Sequence, residues 1–306
     1  MLIYAVTEDD ARKALLSVLR GKMRLSASLV RRLKQADGIF VNGASVYTNY
    51  ILAHGDVITV NLERAEPPCD IVPEQGSIDI LYEDDGFLAV NKPSGILAHP
   101  SRARYTGTLS NFVAGYLENT TGTGHCHAVN RLDRDTSGVM LFAKNSHMKA
   151  LAAGTLGKSK KSYLALISGT MSPAAGTIDL PIKRLQEGNM LRVVSPDGQR
   201  AVTGYETIRA GTISGHTISL LHLHLETGRT HQIRVHCHSS GCPILGDILY
   251  YDDASSAISK ALNISSQALH ADTLLWRHPV TNAEIELCAP IKRDDMNDII
   301  ERLCIC

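Results

Sequence analysis

Two hydrophobic periods divide the chain. Near the N-terminus, apolar residues recur three and four apart, the spacing of helices that bury one face. Thr7 followed by Asp10 reads as a capping box opening a first helix, whose apolar positions include Leu15, Leu16 and Leu19. Leu25, Leu29 and Leu33 share one face of a second helix, with Ser26 placed to cap it, and its other face carries Arg31, Arg32 and Lys34. The period then drops to two. Ile39 and Val41 alternate into Asn42-Gly43, a hairpin-turn signal, followed by Ala44-Ser45-Val46. A turn at His54-Gly55-Asp56 leads into Val57-Ile58-Thr59-Val60. Residues 1–62 therefore predict a small α/β domain. Residues 63–76 are rich in Pro and Glu, have no periodicity and predict a linker.

From residue 77 to 306 the pattern predicts one larger domain. Strand-like runs recur at Leu88–Val90, Val139–Leu141, Tyr163–Leu166 and Ile218–Leu225. Helical stretches are fewer, near Leu109 to Leu117 and Met148 to Leu156. Without regular βαβ spacing, this mixture points to an α+β fold with a mixed, largely antiparallel sheet.

Charge changes the picture locally rather than globally. The 306 residues carry 31 basic and 31 acidic side chains, so any nucleic-acid contact must come from a local patch. Residues 1–62 supply one: eight Lys/Arg against five acids, a net of +3. Lys22, Arg24, Arg31, Arg32 and Lys34 concentrate there and suit a phosphate backbone. The seven cysteines are scattered without a Cys-x-x-Cys pair, which fits reduced thiols in a cytoplasm. Glu8, Asp9 and Asp10 interrupt any secretory leader, and no apolar run reaches the roughly 20 residues of a membrane helix. A cytoplasmic monomer without membrane contact is expected.

The candidate chemistry centres on Asn130-Arg131-Leu132-Asp133-Arg134-Asp135-Thr136-Ser137-Gly138. A carboxylate between two arginines lies between apolar Ala128-Val129 and the strand-like Val139–Ala143. A charged knot held by strands yet open to solvent is where a reactive group belongs. Arginine beside a carboxylate favours its charged, nucleophilic form. Neighbours on a strand face opposite ways, so the pairing arginine is expected from elsewhere. Asp135 reads as structural, capping the Thr-Ser-Gly turn.

The run resembles the central motif of the RluA-type pseudouridine synthases, His-Arg-Leu-Asp-x-x-Thr-Ser-Gly, with Asn130 in place of the His. The resemblance implies that Asp133 is the nucleophile and that Arg131 fills the space vacated by a flipped uridine. Thr227-Gly228-Arg229-Thr230-His231-Gln232-Ile233-Arg234-Val235-His236 resembles another motif of that family at every position. By that resemblance an arginine there pairs with Asp133; Arg229 is favoured and Arg234 is second choice, while Ile233 lines the uracil pocket. Read alone, this segment looks like a strand with an Arg/His face. Tyr163, in Lys161-Ser162-Tyr163-Leu164-Ala165, matches the Lys-x-Tyr-x-Ala motif and would stack on the base and assist proton transfer at C5.

Further likenesses run from Ile80 to Pro290: Ile80–Asp85 with Leu88–Gly95, Gly241–Asp247, Gln267–Ala271 and His278-Pro279. Leu25-Ser26-x-x-Leu29 through Asn42-Gly43 and His54–Ile58 resembles the S4 RNA-binding domain. Together these imply an enzyme acting on structured RNA, large-subunit ribosomal RNA before tRNA. No cofactor is implied, because the isomerisation is redox-neutral. Attack at the uracil ring and attack at ribose C1′ both remain open.

Three other readings were weighed. Histidines near Cys126, Cys237 and Cys242 invite zinc, but no metal-binding framework of regular spacing appears, so no metal site is expected. Asp133 and Asp135 invite a glycosidase, but one Trp and four Phe leave little for carbohydrate platforms. A non-catalytic RNA-binding protein would be expected to lack Asp133, Tyr163 or the Arg229 segment, and all three are present.

Overall fold

The computed structural model describes residues 1–101 and 103–305. The N-terminal part comprises β1 (Leu2–Ala5), α1 (Leu15–Gly21), α2 (Ala27–Gln35), β2 (Ile39–Val41), β3 (Ala44–Ser45) and β4 (Val57–Val60). Its four strands form an antiparallel sheet in the order β1-β4-β2-β3. Leu15, Leu19, Leu29, Leu33, Ile39 and Ile58 close a core of its own. The backbone amide of Leu29 donates to Ser26 Oγ at 3.1 Å, the expected cap of α2. Asn42 and Gly43 both take positive φ, +50° and +80°, as a two-residue hairpin turn requires.

Two expectations fail here. Thr7 caps no α-helix: its hydroxyl donates to Asp10, whose carboxylate also binds Tyr4 and Lys13, and only a 3-10 turn (Glu8–Asp10) forms. The helix waits until Leu15, which turns Leu16 outward to solvent. The short strand Leu2–Ala5 carries too few residues to announce itself.

Residues 63–76 hold one 3-10 turn (Glu63–Ala65) and otherwise cross the larger part as a strap. The Glu66 carboxylate accepts from His127 Nε2 at 2.7 Å and from the Ser146 amide at 2.8 Å. A Cβ on Gly115 would stand 2.1 Å from the Glu74 carbonyl, so glycine there lets the strap lie against its helix.

The larger part continues with β5 (Ile80–Glu83), β6 (Phe87–Lys92), α3 (Leu109–Thr121), β7 (His127–Ala128), β8 (Ser137–Ala143), α4 (Ser146–Leu156) and β9 (Lys160–Ser168). There follow β10 (Ala175–Asp179), β11 (Ile182–Arg184), β12 (Arg192–Val194), β13 (Val202–Ile213), β14 (His216–Leu225) and α5 (Gln232–Ser239). The chain closes with α6 (Asp253–Ala261), β15 (Leu269–Arg277), β16 (Glu284–Cys288) and α7 (Asp294–Ile305).

Ten strands form one sheet, with the path β10-β13-β14-β9-β15-β8-β6-β5 and with β16 and β7 paired to β15 and β8. Its pairings are antiparallel except β15 with β8, which gives the expected mixed, largely antiparallel α+β fold. That parallel contact is close. Gly138 sits at φ +112°, and a Cβ there would lie 2.1 Å from the Ala271 carbonyl. β6 and β8 are buried along their whole length, which explains their continuous apolar runs. The centre of the sheet therefore offers a rigid edge, and the loop before β8 hangs from it.

Candidate active site

Asp133 lies in that loop, and three anchors hold the loop. Asn130 Oδ1 accepts from the Leu141 amide at 2.7 Å while Nδ2 donates to the Val139 carbonyl at 3.1 Å, so its amide pins the loop to β8. Lys92, fully buried at the end of β6, donates from Nζ to the carbonyls of Pro93 (2.8 Å) and Arg134 (2.7 Å). Burial pulls the Lys92 ammonium down to about 7, against the charges of Asp135 and Asp133. Gln267 Nε2 donates to Thr136 Oγ1 at 2.8 Å.

The Asp133 carboxylate, 25% exposed, faces α5. Arg234 Nη1 donates to its Oδ2 at 3.1 Å. The other edge of that guanidinium grips Asp247 bidentately, Nε to Oδ2 at 2.6 Å and Nη2 to Oδ1 at 2.8 Å. Asp247 in turn accepts from the amides of Leu249 and Tyr250, and the Tyr250 ring lies 5.1 Å beneath the Arg234 guanidinium carbon. A buried cation held by two carboxylates and a ring has one orientation. Arg234 therefore presents a fixed positive charge to Asp133.

The cleft over this pair measures about 340 Å³ and is lined by Arg131, Leu132, Asp133, Tyr163, Leu225, His231, Ile233 and Arg234, among others. That volume suits a single nucleoside rather than a duplex. Tyr163, on β9, is half-buried; desolvation and the Asp133 charge push its hydroxyl up to about 12, so it stays neutral at physiological pH. A second groove of about 360 Å³ shares Gly228, Arg229 and Thr230 with the first and is lined by Lys183, Arg184 and Arg192. The cleft thus opens onto a positively charged surface. Among the described residues, no group of three or more His, Cys, Asp and Glu is placed to hold a metal.

The family profile described as RNA pseudouridylate synthase matches residues 86–239, which span every residue placed on Asp133 except Asp247 and Tyr250. The RNA pseudouridine synthase YhcT of Bacillus subtilis is 38% identical over 294 residues, covering 95% of this chain and 94% of its own. The chain belongs to the RluA-type RNA pseudouridine synthases. Ribosomal large subunit pseudouridine synthase D of Xanthomonas campestris, 33% identical, is covered over 80% of its length by 86% of this chain. Among solved structures, human RNA pseudouridylate synthase domain containing 4 superposes with a TM-score of 0.57 at 26% identity, covering 74% of this chain and 93% of its own.

Within this synthase the expected residues are distributed unequally. Asp133, Tyr163, Ile233 and Arg131 meet in one cleft, with Ile233 buried and Arg131 exposed at the rim. Arg229, the favoured ion-pair partner, is not beside Asp133. The loop after β14 throws it outward, where Nε donates to the Arg200 carbonyl at 3.1 Å. Arg234, the second choice, makes the pair. The segment that carries it is helical from Gln232, not a strand. Asp135 caps no turn; its carboxylate takes both edges of the Arg134 guanidinium, at 3.0 and 2.9 Å.

Of the basic residues near α2, Lys22, Arg31 and Lys34 are exposed, whereas Arg24 donates to the Pro279 carbonyl and Arg32 to the Ala65 carbonyl, both at 2.9 Å. Lys92, His231, Asp247 and Tyr250 were not expected as site residues. Lys92 and Asp247 stand at the ends of quoted motifs, and a buried charge in a turn motif is the signal that pointed to them. Tyr250 carries no such signal.

Proposed function

We propose that this synthase isomerises uridine to pseudouridine in large-subunit ribosomal RNA, with Asp133 as the nucleophile. The observation that carries the reading is the carboxylate of Asp133 held by a buried, doubly clamped Arg234 at the floor of a nucleoside-sized cleft. The reaction breaks the N1–C1′ bond of uridine and forms C5–C1′. The C5 hydrogen leaves as a proton and N1 gains one, so electrons balance and no cofactor is called for. Asp133 forms a transient bond to the uracil ring or to ribose C1′, and it leaves as the product forms.

The neighbouring side chains divide the remaining tasks. Tyr163 and Ile233 offer an aromatic and an aliphatic surface to the detached base. The neutral Tyr163 hydroxyl serves as a hydrogen-bond donor rather than as a base, since its phenolate is scarce at neutral pH. Arg131, exposed at the rim, is positioned to occupy the stack when the target nucleotide swings in.

The N-terminal part acts as an S4-like docking module, with Lys22, Arg31 and Lys34 open to phosphates. The six described cysteines are free thiols, in keeping with a monomer working in the reducing cytoplasm. Similarity to ribosomal large subunit pseudouridine synthase D supports ribosomal RNA over tRNA. The test is to incubate the purified enzyme with unmodified large-subunit rRNA and with unmodified bulk tRNA, and to map pseudouridine in each. Product at discrete rRNA positions is expected; product in tRNA alone overturns the substrate assignment.

A further inference from the structure

One buried titratable side chain in the cleft has no part in the chemistry described so far. His231 precedes α5 with φ +58°, a left-handed conformation that glycine would adopt without cost and that a larger residue enters only under constraint. Its ring is buried between Asp133 and Tyr250. Nε2 lies 3.8 Å from Asp133 Oδ2, and Nδ1 lies 2.8 Å from the Tyr250 hydroxyl oxygen.

The hydrogen-bond partners of Tyr250 fix the proton on that ring. Its hydroxyl oxygen accepts from the Arg192 backbone amide at 2.8 Å. The phenol is 6% exposed, and among the described residues its own proton has one acceptor within reach, His231 Nδ1. A buried hydroxyl donates where it can. Nδ1 is therefore the acceptor, and in a neutral ring the single proton resides on Nε2. Burial keeps the ring neutral, with Arg234 and Arg192 opposing the pull of Asp133 and Asp247.

The Nε2–H bond then points at the same oxygen that Arg234 already holds. Asp133 Oδ1 receives no hydrogen bond from any described residue. Such arrangements tighten when substrate excludes water from the cleft.

We propose that His231, as the Nε2–H tautomer set by Tyr250, is a positioning residue for Asp133: with Arg234 it fixes Oδ2 and leaves Oδ1 as the attacking oxygen. The inference rests on Asp133 being the nucleophile.

Two measurements on the full-length enzyme separate this from a merely structural role. In protein carrying ¹⁵N-histidine, with the His231 signals identified by their loss in His231→Asn, the ring is expected as the Nε2–H tautomer. Tyr250→Phe, which keeps the ring under Arg234, is expected to release that single tautomer. A His231 ring protonated on Nδ1 overturns the proposal.

The second measurement is single-turnover pseudouridine formation on rRNA. Asparagine tolerates the left-handed backbone and can meet Tyr250, but it is too short to reach Asp133. His231→Asn is expected to slow turnover by about tenfold or more with RNA affinity within about twofold. His231→Gln, whose amide nitrogen reaches the place of Nε2, recovers most of that loss, with thermal melts confirming that both variants fold. Equal losses in the two, or a loss of affinity in place of rate, contradict the assignment. Asp133→Asn run alongside distinguishes the two failures. Normal turnover by that variant removes the nucleophile itself, whereas an inactive Asp133→Asn beside unaffected His231 variants removes only the positioning role.

Discussion

The guanidinium of Arg234 stands between two carboxylates with different tasks. Asp247, wholly buried, takes the Nε/Nη2 edge in two short bonds, and Asp133, part-exposed, takes the remaining Nη1 at 3.1 Å. The first carboxylate orients the cation and the second is oriented by it.

Arg234 and Arg229 should therefore respond differently to substitution. Lysine at Arg234 keeps a charge but cannot span both carboxylates. Arg234→Lys is expected to lose about 100-fold or more in kcat, and Arg234→Met to lose about 3 kcal/mol of stability as well, because Asp247 is left buried and unpaired. Arg229→Gln is expected to change KM by less than about tenfold, as a groove contact to phosphate would. Steady-state kinetics with denaturant melts reads all three.

Gly138 tests the parallel seam beneath the loop. Gly138→Ala places a methyl group 2.1 Å from the Ala271 carbonyl at a φ of +112°. A loss of about 3 kcal/mol is expected from strain and clash together. Urea unfolding gives the value, and a variant as stable as the parent would mean that β8 and β15 can separate freely.

Lys92 makes stability depend on pH with a definite sign. Its pKa falls from 10.5 in the unfolded chain to about 7 in the folded one. Between those values the unfolded state binds the extra proton, so this group adds stability as pH rises through the window and subtracts it as pH falls toward 7. The stability of the parent relative to Lys92→Met should climb by up to about 1.4 kcal/mol per pH unit between roughly pH 7 and 10. Parallel curves for the two proteins would mean that Lys92 keeps an ordinary ammonium.

The basic residues around α2 divide into two classes. Neutralising the exposed Lys22, Arg31 and Lys34 together is expected to shallow the log–log salt dependence of RNA binding by about two units, one counterion per phosphate contact. Neutralising Arg32, which is bonded to the Ala65 carbonyl, should leave the slope unchanged and lower stability slightly. An identical slope for the triple variant would mean that this face is only solvated.

How much of this was legible in the chain depends on what set each element. Strands β6, β8, β9 and β14 and helices α3 and α4 appear where apolar periodicity places them, because the burial pattern there follows the side chains' own hydrophobicity. Helix α5 does not. Ile233, Val235 and Cys237 alternate as a strand would, yet the polar Gln232, Arg234 and His236 between them are buried too.

Each of those polar residues finds an internal partner: Gln232 on Val202 and Thr203, Arg234 on the two aspartates, His236 on Thr203 and the Leu180 carbonyl. A helix buried on all sides by hydrogen-bonded polar groups leaves no amphipathic stripe to read. The choice between Arg229 and Arg234 failed for the same reason, since it turns on where that helix begins. Asp133, Tyr163 and Ile233 were legible from motif likeness, whereas Tyr250 and the tautomer it sets exist only in three dimensions.

The central claim, that Asp133 performs the isomerisation, is tested most directly by tritium release from rRNA labelled at uracil C5. Forming the C5–C1′ bond must expel that hydrogen. The parent enzyme is expected to release tritium, and Asp133→Asn to release none while binding the RNA within a few-fold of the parent. Release by Asp133→Asn at a rate near that of the parent would contradict the account.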